Sequence, residues 1–297
     1  MLLRDMGWAG DTKEASKTFS IPTRQNRCLF RDSATQDMDL QGSLAQTAGV
    51  RLQQLFGEGV ILPGGTEEAL RLVRPFKLSG QTTLLLLGAG CGGEAQAIAS
   101  AFDTWIEAFE SDPAMRAEAA TRLLHANMAK RVRIRPWNPA APTLRRDMCA
   151  HGLSLLSFRG CPCEPILSAL AVAIRPMGQL ALLELVAEPG FDPNESSAAT
   201  WLRLERMGTA LPSADTITEL LSAYGFDVRV VEDSTERHRH FVLSAWQAFI
   251  KPYLESRSLS PRLAAEIVNE AERWLLRLRL MQQKKIRLVR WHAIQKH

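Results

Sequence analysis

The sequence lacks any uninterrupted apolar stretch long enough to cross a membrane. Its longest apolar region, 165–187, is broken by Arg175, Pro176 and Glu184, which excludes a spanning helix there. The opening residues MLLRDMGWAGDTKEASKTF have no apolar core followed by a small-residue cleavage site, so no secretory signal is expected and the protein is expected to be cytoplasmic. Cysteine is sparse. Cys28, Cys91, Cys149, Cys161 and Cys163 are odd in number and scattered, which speaks against a disulfide framework and predicts free thiols. Cys161-Pro162-Cys163 is one residue tighter than a zinc knuckle and has no partner pair, so no metal is expected. There is no repeat of fixed period and no low-complexity block, and tyrosine is nearly missing, with two against seven tryptophans.

What is present suits a globular chain. With 297 residues, 46% apolar and 23% charged, it can bury a full core as one large domain or two small ones. The formal charge of +4 is uneven: from Ile250 onward there are eleven Lys and Arg against four Asp and Glu, net +7, which leaves −3 for the first 249 residues. A basic tail of this kind suits nucleic acid, a membrane surface or a small anion, or is one solvated face of an amphipathic helix.

Residues 1–45 are polar without sustained periodicity and read as an N-terminal arm. From 46 to 297 the pattern alternates between strands and helices. QTTLLLLG is an apolar run ending at glycine, followed by a helix through EAQAIASAF. TWIEAFE is a second strand, and DPAMRAEAATRLLHANMA a helix with Pro113 in its first turn. RVRIRPW and GLSLLSF are further strands, PILSALAVAI a helix and GQLALLELV a fifth strand. Nearly continuous apolar strands alternating with helices predict an α/β, doubly wound sheet covered on both faces. Gly88, Gly90 and Gly92 form a turn between the first strand and its helix, and Glu110 closes the second strand 22 residues after Gly88. This spacing suits a nucleotide ligand whose ribose meets the acid. The glycines alone leave a dinucleotide and S-adenosylmethionine both open.

The surrounding motifs carry more. LLLLGAGCGG, IEAFESDPAMRAEA and LAVAIRPMGQLALLELVA resemble, in order and spacing, the glycine, acid-plus-helix and fifth-strand motifs of class I methyltransferases. LFGEGVILPGGTEEALRLV, SADTITELLSAYGFDVRVVEDST and AERWLLRLRLMQQKKIRLVRWHAIQK are similar to the segment before the first strand, the sixth-strand region and the closing segment of the phosphoethanolamine and sarcosine/dimethylglycine N-methyltransferases. The resemblance implies a Rossmann-like sheet of seven strands with the last antiparallel at 286–294, a helical lid segment at 196–212 and C-terminal helices over 246–283. It implies S-adenosyl-L-methionine as cofactor, held by Gly88, Ala89, Gly90, Gly92, Glu110, Ser111 and Asn138. It further implies a small amine-like substrate, with nucleic acid not expected as a partner. No signal for an oligomeric state is present.

Methyl transfer rests chiefly on positioning, with a base where a proton must leave. His238, in EDSTERHRHF after the sixth strand, is the candidate general base. Trp201, Arg237, His240 and Lys285 are candidate substrate residues, Trp201 as an aromatic face for a cation and Lys285, with Lys284 and Arg287, for an anionic group. Trp246 and Trp291 fall in segments expected near the lid. Two departures from the family's pattern stand out. Leu86 occupies the position, two residues before the first glycine, where these enzymes usually carry an acid for the cofactor's methionine end. Asn138 stands where an aspartate usually receives the adenine amino group, and its amide oxygen still accepts a hydrogen bond. SFRGCPCEP also lacks the histidine that phosphoethanolamine methyltransferases use. The alternatives are a methyltransferase-like protein without catalysis, serving as a partner or sensor, and a dinucleotide-dependent oxidoreductase.

Overall fold

The structure is a computed structural model that describes residues 55–208, 211–256 and 261–296. The expected arm at 1–45 lies outside the described residues. In chain order the elements are α1 (Gly65–Val73), β1 (Thr83–Leu87), α2 (Gly93–Phe102), β2 (Trp105–Glu110), α3 (Pro113–His125), β3 (Val132–Pro136), β4 (His151–Leu155) and α4 (Cys163–Ala173). They continue as β5 (Gln179–Ala187), α5 (Ser196–Glu205), α6 (Ala214–Ala223), β6 (Phe226–Asp233), α7 (Thr235–Ser256), α8 (Pro261–Gln282) and β7 (Ile286–Gln295).

The strands form one seven-stranded sheet in the order β3-β2-β1-β4-β5-β7-β6. β3, β2, β1, β4 and β5 run parallel, and β7 inserts antiparallel between β5 and β6. This is the doubly wound, Rossmann-like sheet with an antiparallel last strand that the motifs imply. The run Thr83–Leu87 makes a central strand because it is apolar on both faces: Leu84 and Leu86 enter one core cluster, and Leu85 and Leu87 the other. α1, α2, α3, α5 and α8 contribute to the first cluster, and α4 and α6 to the second. β7 obeys the same alternation. Ile286 and Leu288 face the first cluster, while Val289, Trp291 and Ala293 face the second.

Several boundaries differ from the sequence expectation, each for a local reason. The fourth strand ends at Leu155, not Phe158, because Leu156 takes a left-handed conformation (φ 47°) and turns the chain across the tip of the sheet. α3 begins where predicted, with Asp112 capping the amides of Ala114 and Met115 at 2.8 and 3.1 Å and Pro113 at its first position. It stops at His125, where left-handed Asn127 reverses the backbone. The C-terminal helices start at Thr235 rather than 246. EDSTERHRHF is therefore a helix start and not a loop, with Asp233 accepting from the Thr235 amide at 2.9 Å. Among the described residues no helix is long and apolar enough to cross a membrane.

Since β7 bonds to strands on both sides, its removal leaves β6 without a neighbour. A chain ending at Gln283 is expected to lose cooperative thermal unfolding. The graded version is Trp291→Ala, which empties a fully buried site and should lower the unfolding free energy by about 3–5 kcal/mol in urea titration. A wild-type midpoint in the truncated chain would show that the closing strand contributes nothing.

Candidate functional site

The reversal of strand order falls between β1 and β4, where parallel α/β sheets open a crevice at the strand tips. Gly88 leaves β1 at this point with φ 74°, and a Cβ on it would lie 2.1 Å from the Leu155 carbonyl oxygen of β4. Only glycine fits. The rest of the turn is held from within. The Gly88 and Ala89 amides donate to the Phe109 carbonyl at 3.0 and 3.1 Å, and the Gly93 amide donates to the Gly59 carbonyl at 2.9 Å. Glu110, buried at the tip of β2, accepts from the Gly90 amide at 2.7 Å through Oε2 and from the Asp112 amide at 2.8 Å through Oε1. Ser111 Oγ donates to the same Oε1 at 3.3 Å. Oε2, which accepts only the Gly90 amide, keeps a second lone-pair direction for a ligand hydroxyl.

The crevice holds a cavity of about 190 Å³. Gly88, Glu94 and Asp112 line its glycine-turn end, with Ile61 and Leu62 from the segment before α1. Arg159 and Glu184 line the tips of β4 and β5; Arg206 and Met207 follow α5, and Glu270, Arg273, Trp274 and Arg277 line the side formed by α8. Glu184 accepts the Ser157 and Phe158 amides, the latter at 3.0 Å. Burial outweighs these bonds and pushes its carboxyl up to about 8. Arg159 has no ion-pair partner among the described residues, though its charge favours the ionised forms of Glu184 and Glu205.

A buried ionic cluster joins the lid helix to α8. Arg277 donates to Glu205 from Nε at 3.0 Å and from Nη2, Arg273 lies 3.5 Å from Glu205 and pairs with Glu270, and Trp201 Nε1 donates to Glu205 at 3.2 Å. Burial alone would raise the Glu205 carboxyl, but Arg277 and Arg273 hold it below its ordinary value. Trp274 lies under both cations, with the Arg277 and Arg273 guanidinium carbons 4.3 and 5.2 Å from its ring centre.

The structure redistributes the residues singled out from sequence. His238 is 3% exposed on α7, 6.0 Å from the Trp274 ring, and does not line this cavity. Burial, followed by the charge of Arg277, holds its imidazole well below the ordinary range, so it stays neutral. Trp201 is fully buried in the core and presents no face to a substrate. Trp291 is likewise core, with Nε1 donating to Thr218 Oγ1 at 2.9 Å, and Trp246 is buried. Arg237 donates to Glu68 at 2.8 Å and lies over Phe241, while His240 is exposed and outside the cavity. Lys285 pairs with Glu195, tying β7 to the start of the lid. Asn138 is exposed after β3, where its side chain accepts the Ala140 amide at 3.1 Å. Arg159, Glu184, Arg273, Trp274 and Arg277 line the cavity instead. Two signals for them were present. Glu184 is the one charge inside the otherwise apolar QLALLELVA, and Glu270, Arg273, Trp274 and Arg277 recur at the i, i+3, i+4, i+7 spacing of one helix face.

Among the described residues, the glycine-turn end fits the methionine portion of S-adenosylmethionine on two observations. Gly88 brings bare backbone to the cavity wall, and the buried Glu94 has one carboxylate oxygen, Oε2, without a hydrogen-bond partner. Compared by sequence, the chain matches no protein-family model and no curated relative. Compared by structure, it is similar to Haemonchus contortus phosphoethanolamine N-methyltransferase 2, solved with phosphomonomethylethanolamine and S-adenosylhomocysteine. That match has a TM-score of 0.74 at 18% identity over 89% of this chain and 61% of that one. This chain thus spans less than two thirds of the length of that enzyme chain. It is also similar to a putative sarcosine dimethylglycine methyltransferase from Galdieria sulphuraria (TM-score 0.64, 16% identity, 78% and 85% covered). A third likeness is to geranyl diphosphate C-methyltransferase from Streptomyces coelicolor A3(2), solved with Mg²⁺, geranyl diphosphate and S-adenosylhomocysteine (0.59, 12%, 77% and 78%). At these identities the likeness establishes the fold, that of the S-adenosylmethionine-dependent methyltransferases.

Arg277→Met leaves Glu205 buried with only the more distant Arg273, and should destabilise the fold by about 3–5 kcal/mol in urea titration at pH 7. Since the Glu205 carboxyl is held below its unfolded value, its contribution is present above that value and is lost as pH falls through the lower folded one. The difference between Arg277→Met and wild type should therefore shrink on acidification. A constant difference from pH 7 to pH 3 would show that the ionic pairing is not what stabilises this contact.

Proposed function

We propose that this chain is an S-adenosylmethionine-dependent methyltransferase acting on a small amine-like molecule. The observation that carries the reading is the cavity at the strand-order reversal, which runs from the bare backbone of Gly88 to the lid helix and α8. When bound, the cofactor supplies an electrophilic methyl group on a sulfonium. The glycine turn, Gly88 to Gly92 with Ala89, holds its methionine end, Glu110 and Ser111 its ribose, and Asn138 its adenine.

The remaining roles belong to the far end of the cavity. Arg159, which has no ion-pair partner among the described residues, offers its guanidinium to an anionic group of the substrate. Glu184 takes the proton that an ammonium substrate must release before its nitrogen lone pair can attack. It replaces His238 in that role because it lines the cavity and His238 does not. The buried Glu205 cluster fixes the lid against α8 so that water is kept from the reacting groups. The alternative reading, a methyltransferase-like protein without catalysis, predicts binding without turnover.

In a thermal-shift panel, S-adenosylmethionine and S-adenosylhomocysteine should raise the midpoint while NAD and NADP leave it unchanged. A shift with the dinucleotides alone would overturn the proposal. With an amine substrate in hand, kcat/KM should rise with pH through about 8 as Glu184 loses its proton. Glu184→Gln should remove that limb while leaving cofactor affinity in place. An unchanged pH profile in the variant would take the proton from another group.

A further inference from the structure

Glu94 stands in the first turn of α2 and is 1% exposed. Its Oε1 accepts the backbone amides of Ile61 and Leu62 at 2.9 and 3.0 Å, which fastens the segment before α1 over the glycine turn. That segment is pressed close, since a Cβ on Gly93 would lie 2.6 Å from the Gly59 carbonyl oxygen. Among the described residues Glu94 Oε2 has no hydrogen-bond partner, although Glu94 lines the cavity beside Gly88. The charged neighbour that acts on it is Glu110, and like burial it opposes ionisation. A buried carboxylate oxygen without hydrogen bond or counter-ion is costly unless a ligand completes it. At the β1 position where related enzymes carry an acid, Leu86 is fully buried in the apolar cluster with Ala95 and Leu153 and offers nothing to the cavity.

We propose that Glu94 has taken over the missing acid's task and receives the α-ammonium of the cofactor on its unpartnered oxygen, so that one side chain both secures the 61–62 segment and reads the ligand's amino group. The inference rests on the methyltransferase reading above. It explains how a chain with leucine at the β1 position retains an ionic partner for the cofactor, displaced from the strand to the first turn of the next helix. The arrangement makes the 61–62 segment part of the site: the same carboxylate holds it through one oxygen and the ligand through the other.

Glu94→Gln tests this with calorimetry on the full chain. The amide oxygen of Gln keeps an acceptor for the Ile61 and Leu62 amides, while its NH₂ removes the charge. The ligands are S-adenosylhomocysteine and its des-amino analogue, which keeps the carboxylate and lacks only the α-amino group. Wild type should bind the analogue about ten- to a hundredfold more weakly than S-adenosylhomocysteine, the scale of one charge-assisted hydrogen bond. Glu94→Gln should weaken S-adenosylhomocysteine by a similar factor and bind the two ligands alike. If the variant keeps the wild-type discrimination, or weakens both ligands equally, Glu94 is a brace for the 61–62 segment alone and the inference is overturned. It is overturned too if wild type does not discriminate between them. Failure of wild type to bind either ligand would remove the methyltransferase reading itself.

Discussion

The backbone of Gly88 passes so close to the Leu155 carbonyl that no side chain fits between them, and the site depends on that contact. It lets β1 and β4 run side by side to their tips and then diverge into a turn and a left-handed bend at Leu156. The space left by the divergence is the crevice. One side of it is lined by chain that the sheet has already oriented: the first turn of α2, the cap of α3, the bend after β4 and β5. A methyl group at position 88 would push the two strands apart where β1 is buried on both faces, so the constraint on the site and the constraint on the core are one.

Around the crevice the charges divide by surroundings. Glu205 is buried among two arginines and ionises below its ordinary value; Glu184 is buried against backbone amides without a paired arginine among the described residues and ionises above it. The same side chain is thus shifted in opposite directions by what surrounds it. Much of the tail's positive charge has a structural use. Arg277 and Arg273 meet Glu205 and Glu270, Lys285 meets Glu195, Arg287 meets Glu188, and Arg290 meets Glu232. These pairs connect β7 and α8 to the lid and to the strand edges, so the basic C-terminal segment works as a fastening of the fold rather than as one solvated face.

One wall of the cavity is therefore built from two separate stretches of the second half of the chain. α5 follows β5, and α8 precedes β7, its antiparallel neighbour, and the two helices meet through Glu205, Arg277 and Trp274. Their contact places an aromatic face and two guanidinium groups on one wall of the cavity, across from the glycine turn.

By itself, the sequence determined the strand-helix alternation and the glycine turn with Glu110 at its spacing, because each is carried by contiguous residues whose periodicity or backbone demands are local, while the antiparallel direction of the closing strand was implied by the resemblance of its closing segment to a known family. QTTLLLLG cannot be an exposed strand, and Gly88 cannot be replaced. The burial of His238, the packing of Trp201 into the core and the convergence of Arg159, Glu184 and Arg277 on one cavity were decided only by tertiary structure. Those positions lie far apart along the chain, and His238 illustrates the reason. A histidine in EDSTERHRHF is a titrating group or a neutral core residue according to what packs on it, and Trp274 with Arg277, some forty residues on, makes it neutral. Glu94 carries both kinds of information: its place in the first helical turn is written in the sequence, whereas its two carboxylate oxygens acquire different tasks only when residues 61 and 62 fold over one of them.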